Sequence, residues 1–368
     1  MRHTLLMSLL LAGLAGRAAA GAPAFSMPHL QGGTATRMGI VWLQPPPGPV
    51  RVEARSVRDG AAGAVFRAAG NGPVYWLEGL QPAEVYRYTC WAGGREVATG
   101  QFRTLPVDPE AAIRFAVVGD TGSGSAMQVA VARAMVRWRP DFVLHTGDVM
   151  YERGELEGYG PRYLEPYREL VTRCVVYPSI GNHDHRTQQA APYMTFFEPP
   201  RASASDSERW YTFTAGAVQF FALDTNVPFG KGSPQHRWLT AALAGSQARW
   251  RVAFFHHPPY SGGAHGSSLH VRGAWGPLFE RHDVQVVFTG HDHHYERSTP
   301  REDFVRDGRP TTYFVTGGGG AWLRRAQVRP HAAVVASTHH FLGVSLRAGR
   351  LLVEAIDVDG RTFDTVVM

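Results

Sequence analysis

Five apolar runs, each stopped by a polar residue of metal-ligating type, constrain this chain more than any other feature. Phe115–Val118 leads through Gly119 to Asp120, and Phe142–Leu144 leads through Gly147 to Asp148. Val175–Ile180 leads through Gly181 to Asn182, His183 and Asp184. Val252–Phe255 meets His256 and His257, and Val284–Phe288 leads through Gly290 to His291, Asp292, His293 and His294. Short apolar runs without alternation read as strands buried on both faces. Open α/β sheets bind ligands beyond the carboxyl ends of their strands. A glycine before Asp120, Asp148, Asn182 and His291 lets the backbone turn sharply and approach closely.

Carboxylate, amide and imidazole donors suit hard or borderline cations. Seven or eight such groups exceed one tetrahedral site. They suit two cations about 3.5–4 Å apart that share a carboxylate. Buried together without a cation, the carboxylates would carry a heavy desolvation cost. Each piece alone is ordinary, because Gly-Asp is usually a turn and a lone histidine is usually a hydrogen-bonded core residue. Five pieces in order, each after an apolar run, are not.

The rest of the chain divides around Thr104–Glu110, a polar stretch with two prolines that reads as a linker (106–111). Before it, Met38–Leu43, Val50–Ala54, Val74–Leu77, Val85–Trp91 and Ala98–Arg103 alternate between Gly/Pro clusters. This is the pattern of a small β-sandwich over residues 24–105. After it, Ala126–Trp138 has helical spacing and stops before Pro140. Ser233-Pro234 opens a second helix that ends near Gly245. Trp210–Phe213 and Val218–Leu223 form a hairpin, and four strands close the chain, making 112–368 a mixed α/β domain.

Residues 1–20 read as a secretory signal: a basic start, the apolar run Leu5–Leu14, and Ala18-Ala19-Ala20 before a cut near Gly21. The expected location is secreted or periplasmic, with no membrane span after signal removal. Basic residues number 37 against 31 acidic, and only Lys231 among them is lysine. They are scattered, so no nucleic-acid-binding stripe is expected. Cys90 and Cys174 sit in apolar contexts and read as buried free thiols.

The blocks Gly119-Asp-Thr-Gly122, Gly147-Asp-Val-Met-Tyr151, Gly181-Asn-His-Asp184, the His256 segment and Gly290-His-Asp-His293 resemble the motifs of the purple acid phosphatases. These are dinuclear enzymes within the calcineurin-like metallophosphoesterases. His291–Arg297 (HDHHYER) is similar too, and Gly79–Tyr88 with Phe102–Thr104 resembles a fibronectin type III domain. The resemblance implies a four-layer α/β (α+β) metallophosphoesterase sandwich, with two mixed sheets flanked by helices and a small all-β sandwich in front. It implies a first metal on Asp120, Asp148, Tyr151 and His293. A second would sit on Asp148, Asn182, His256 and His291, with Asp148 bridging; His256 is chosen over His257 by the His-x-Pro pattern. The broader superfamily opens with Asp-x-His, and here that position is Gly122. Tyr151 stands where the purple subgroup places a metal-bound phenolate. A phenolate favours Fe(III) at the first site, with Fe(II), Zn or Mn at the second.

His183 and His265 are the catalytic candidates implied beside the metals. The expected activity is acid phosphatase-like hydrolysis of a small phosphate ester, with metal-activated hydroxide attacking phosphorus in line. The alternative is a Mn- or Zn-dependent phosphodiesterase or nucleotidase of the same superfamily. A non-catalytic exported binding protein fits less well, because every ligand position is filled. Loops around 152–163, 193–209 and 261–270 are expected to select substrate.

Overall fold

The computed structural model describes residues 26–58, 63–200, 207–299 and 310–368. The signal-like residues 1–20 lie outside them. Seven strands come first: β1 (Pro28–Gln31), β2 (Arg37–Trp42), β3 (Val50–Ser56), β4 (Val65–Gly70), β5 (Val74–Glu78), β6 (Val85–Ala92) and β7 (Arg95–Arg103). They form a three-stranded sheet, β1-β2-β5, facing a four-stranded one, β4-β3-β6-β7. In β3 the pattern of buried and outward residues alternates, as expected of a strand with one face on a sandwich core.

After β7 come β8 (Ile113–Val118), α1 (Ala126–Trp138), β9 (Phe142–His145), α2 (Arg168–Val171), β10 (Val176–Pro178), α3 (Asn182–His185) and α4 (Ala191–Phe196). The hairpin β11 (Tyr211–Ala215) and β12 (Val218–Ala222) follows, then α5 (Pro234–Ala244), β13 (Trp250–Phe254), α6 (Leu269–Arg281) and β14 (Val286–Thr289). The last strands are β15 (Tyr295–Ser298), β16 (Thr312–Thr316), β17 (Ala332–Ala336), β18 (His340–Arg347), β19 (Arg350–Asp357) and β20 (Thr362–Val367). One sheet runs β10-β9-β8-β18-β19-β20 and the other β11-β12-β13-β14-β16-β15-β17.

The two sheets face each other across a core that includes Phe115, Phe142, Phe220 and Phe288. Phe115 stacks on Phe142 at 5.2 Å and meets Phe220 edge-on at 5.2 Å. Such pairs add about 0.5–1.5 kcal/mol beyond their burial. Val131 and Met135 of α1 cover the outer face of the first sheet. Leu239 of α5 and Trp275 of α6 cover the outer face of the second. Central strands are therefore enclosed on both faces, which is why they read as unbroken apolar runs.

The helix signals hold locally. Ser125 caps α1 by accepting from Gln128 N–H, and the chain leaves the helix at Arg139 with φ 59°, just before Pro140. Ser233 caps α5, with Pro234 in the first turn. The sequence of α6 carries no clear helical signal, because Pro277 and two glycines obscure its periodicity. His270 therefore stands in a helix rather than in a loop. The stretch 156–164 is likewise short helical turns.

The sandwich packs on the second unit through directed contacts. Tyr177 Oη donates to the Gly33 carbonyl at 2.7 Å, and Gln31 Nε2 donates to the Phe196 carbonyl at 2.8 Å. Cys90 and Cys174 are buried free thiols. No described helix is long and apolar enough to cross a membrane.

Candidate metal centre

The five motif strands do not share one sheet: β8, β9 and β10 lie in the first, β13 and β14 in the second. Within each sheet they run parallel. Their carboxyl ends meet where the two sheets come together. Asp120 (φ 59°), Asp148 (φ 53°) and His291 (φ 71°) all occupy the left-handed region. Residues with side chains rarely adopt it, and it concentrates at functional sites. The turning is thus done by these residues and, before Asp148, also by Gly147 with φ 95°. The glycines before Asp120 and His291 serve close approach: a Cβ on Gly119 would overlap Thr146 Oγ1, and one on Gly290 would lie 2.5 Å from Asp120 Oδ2.

Two groups of polar atoms form around Asp148. In the first, Tyr151 Oη lies 3.1 Å from Asp120 Oδ1, 3.1 Å from Asp148 Oδ2 and 3.0 Å from His293 Nε2. His293 Nδ1 is 2.8 Å from the Trp322 carbonyl, to which it must donate. The neutral ring therefore turns the Nε2 lone pair toward Tyr151 and Asp120. A phenol carries one hydrogen, yet three acceptors surround it. Burial and the two carboxylates hold the Tyr151 phenol well above its ordinary pKa.

In the second group, His256 Nδ1 faces the Thr146 carbonyl at 2.9 Å, which again turns Nε2 inward. That nitrogen lies 2.9 Å from Asn182 Oδ1, 3.2 Å from His291 Nδ1 and 3.3 Å from Asp148 Oδ2. His291 Nδ1 is itself 2.9 Å from Asn182 Oδ1. Acceptors facing acceptors need a positive centre between them. Without a metal ion, a proton takes that part. Burial pulls the His256 imidazole down, but Asp148 more than offsets this and lifts it to about 9. Asp148 is pushed up by burial, yet His256 and His183 bring it below the ordinary carboxylate range. Burial, together with His256, His257 and His265, holds His291 far below its usual value.

The donor set therefore fits a cation pair sharing Asp148. Candidate ligand atoms of Asp120, Asp148 and His256 lie within 4.8 Å of one another, as do those of His256, His257 and His291. His257 adjoins the second group, but its Nδ1 is held by Thr225 Oγ1 at 2.6 Å. Gly122 leaves no room for a side chain. It bridges to Met150, its carbonyl accepts from Tyr151 N–H at 3.1 Å, and a Cβ there would overlap the Val149 carbonyl.

Both candidate histidines flank this cluster. His183 N–H donates to Asp148 Oδ1 at 2.8 Å, and its Nδ1 lies 2.6 Å from the Glu152 carbonyl. His265 Nδ1 lies 3.0 Å from Asp292 Oδ1, and its ring packs tilted against His291 at 4.1 Å. His265 is thus a braced residue beside the metal-type ligands. Asp184 is a brace: it accepts from Gly181, Val149 and Met150 N–H at 2.9, 3.1 and 2.9 Å, joining two motif turns. Burial and the nearby Asp148 charge push its carboxyl up to about 7. Asp224 is structural, as it is buried and paired with Arg209 at 2.9 Å. His294 is buried 3.0 Å from Glu296.

Several contributors escaped sequence reasoning. Asp292 lies inside the HDHH motif, but its partners Ser261 and His265 belong to a loop about thirty residues earlier. Glu296 accepts from Gly262 N–H at 2.7 Å and so anchors that loop. Arg186, Trp322 and Arg324 carry no local signal. They emerge because they line the same cavity, of about 250 Å³, as Asp148 and the two candidate histidines.

Residues 113–295 match the calcineurin-like phosphoesterase family. This chain carries a calcineurin-like phosphoesterase domain. An uncharacterised protein of Mycobacterium tuberculosis is 29% identical over 331 residues, covering 74% of this chain and 61% of its own length. Purple acid phosphatase 15 of Arabidopsis thaliana is 30% identical over 280 residues, covering 66% and 52%. The chain thus spans about half to three-fifths of these curated relatives. Among solved structures, the purple acid phosphatase PPD1 from yellow lupin (Lupinus luteus) seeds superposes with a TM-score of 0.80 at 18% identity, covering 92% of this chain and 73% of that one. PhoD superposes with a TM-score of 0.70 at 16% identity, covering 94% of both. At those identities the structural likeness speaks for the fold. The phosphoesterase family implies a dinuclear metal centre, and Asp120, Asp148 and His256 form a candidate metal-binding group within this domain.

Proposed function

We propose that this protein is a metal-dependent phosphate-ester hydrolase of the purple acid phosphatase type. The observation that carries the reading is the pair of acceptor clusters meeting on Asp148 Oδ2, 3.1 Å from Tyr151 Oη and 3.3 Å from His256 Nε2. In this reading Asp120, Asp148, Tyr151 and His293 hold one cation, and Asp148, Asn182, His256 and His291 hold the other. When bound, the pair supplies Lewis acidity, for polarising phosphoryl oxygens and acidifying water. Tyr151 favours Fe(III) at the first position, and Fe(II), Zn or Mn suits the second.

The chain's own groups do the remaining work. His183 Nδ1 is occupied at Glu152, so Nε2 faces the cavity, 4.0 Å from Asp148 Oδ2. It can hydrogen-bond a phosphoryl oxygen there. His265, oriented by Asp292, accepts from Arg324 at Nε2 and can hold a proton there for the leaving oxygen once that arginine turns to substrate. Residues 112–368 would carry the chemistry, with 24–105 as a supporting sandwich joined through 106–111. Export to the periplasm or medium belongs to the same reading and rests on residues 1–20.

Elemental analysis, visible spectroscopy and a phosphate-ester panel on the full chain test it together. Two metals per chain, iron among them, a violet tyrosinate–iron band and monoester turnover are expected. An active, colourless, iron-free protein would transfer the reading to the Mn- or Zn-dependent branch. Asp148→Asn should lose both metals and turnover; a variant that keeps either would remove Asp148 from the bridging role.

A further inference from the structure

We infer that this site is built for phosphate monoesters whose leaving group carries a second anion, held by Arg186 and Arg324. The inference rests on the hydrolase reading and names its substrate class. Each candidate histidine has an arginine beside it. Arg186 Nη1 donates to the Glu152 carbonyl at 3.2 Å, the same oxygen that His183 Nδ1 meets at 2.6 Å. Arg324 Nη1 lies 3.3 Å from His265 Nε2. Both arginines line the cavity together with Asp148, Asn182 and His291. They stand one hydrogen bond further from the metal-type ligands than the histidines do. That is where a leaving group lies, once the transferred phosphoryl group sits over the ligands.

Among the described residues, neither arginine forms an ion pair with a carboxylate, although Arg209, Arg249 and Arg297 elsewhere all do. Each has donors left over after its single contact, and a guanidinium fork matches carboxylate and phosphate oxygens in pairs. Trp322, 48% exposed, lines the same cavity, its ring tilted against Tyr151 at 5.7 Å. A planar leaving group can lie on that indole face while its anion reaches an arginine.

Phenyl phosphate, 3-carboxyphenyl phosphate and 3-phosphonophenyl phosphate form a matched test series. The full-length, metal-loaded protein should show a higher kcat/KM for at least one of the two anionic esters than for phenyl phosphate. Which one is favoured separates carboxylate from phosphate recognition. Arg186→Gln and Arg324→Gln should each lower that preference by about tenfold, mainly through KM, the loss expected for one charge-assisted contact. Arg→Lys variants, which keep the charge without the fork, should fall between. Calorimetric binding of phenylphosphonate and 3-carboxyphenylphosphonate reads the same preference without turnover. A preference ratio unchanged in both glutamine variants overturns the inference while the hydrolase reading stands. Absence of turnover on all three esters, with anion-dependent phosphonate binding intact, overturns the hydrolase reading and leaves the arginine assignment supported.

Discussion

Gly122→Ala tests whether backbone packing at position 122 sets the place of Tyr151. Position 122 is buried against the turn that delivers Tyr151. A Cβ there would lie 2.6 Å from Met150 Cα and 2.7 Å from Val149 C, and would overlap the Val149 carbonyl. Carbon atoms pack at about 3.5–4.0 Å, so the backbone must retreat by about 1 Å. All the opposing atoms are main chain, so no rotamer change relieves the overlap. Overpacking of this kind costs about 1–3 kcal/mol. The Gly122 carbonyl also accepts from Tyr151 N–H at 3.1 Å, and losing that bond adds about 1 kcal/mol. The sum, about 2–4 kcal/mol, corresponds to a drop in Tm of about 5–15 °C for a domain of this size. A displacement of about 1 Å at Tyr151 should also cost about a hundredfold in turnover. Calorimetry, iron content and the visible spectrum should change together. Gly273→Ala, on α6 with no atom within 4 Å of the added Cβ, is the control and should be neutral or slightly stabilising. If Gly122→Ala kept the Tm and the turnover of the parent protein, the claim that backbone closes this position would be wrong.

Other predictions follow from groups that brace the site. Glu296 is pushed up by burial but pulled to about 2 by His294 and His331, from an ordinary 4.5. A depressed carboxyl contributes stability above pH 4.5 that is lost as pH falls toward 2. Glu296→Gln should therefore be less stable than the parent at pH 7, with the gap narrowing by pH 3.5 in urea titrations; a gap independent of pH would contradict the pairing. Asp292→Asn should leave the metal content intact, lower kcat by about ten- to a hundredfold, and alter the acid–base limb of the pH–rate profile, because His265 Nδ1 loses its carboxylate partner at 3.0 Å. Unchanged kcat and pH profile would remove His265 from proton transfer. Asp184→Asn sets an amide NH₂ against at least one of three backbone N–H groups and should cost about 2–4 kcal/mol, read as a fall in Tm. Unaltered melting would show that the two motif turns hold their shape without that brace.

Much of this protein was legible along the chain because the responsible physics is local. Strands enclosed on both faces leave unbroken apolar runs, and the residues after them, Asp120, Asp148, Asn182, His256 and His291, are readable as strand-end donors. Ser233 announced its helix because an N-cap bond spans three residues, and 126–138 was readable from its spacing and from Pro140. Only the tertiary structure decided how the motifs divide, three strands in one sheet and two in the other, because strand pairing joins residues far apart in sequence. It alone brought Asp292 to His265, Glu296 to Gly262, and Arg186 and Arg324 to one cavity. Arginines and lone carboxylates carry no periodic signal, and their meaning comes from what long-range packing sets against them. Sequence thus determined the kinds of atom available to the site, while packing between the sheets decided which of them meet.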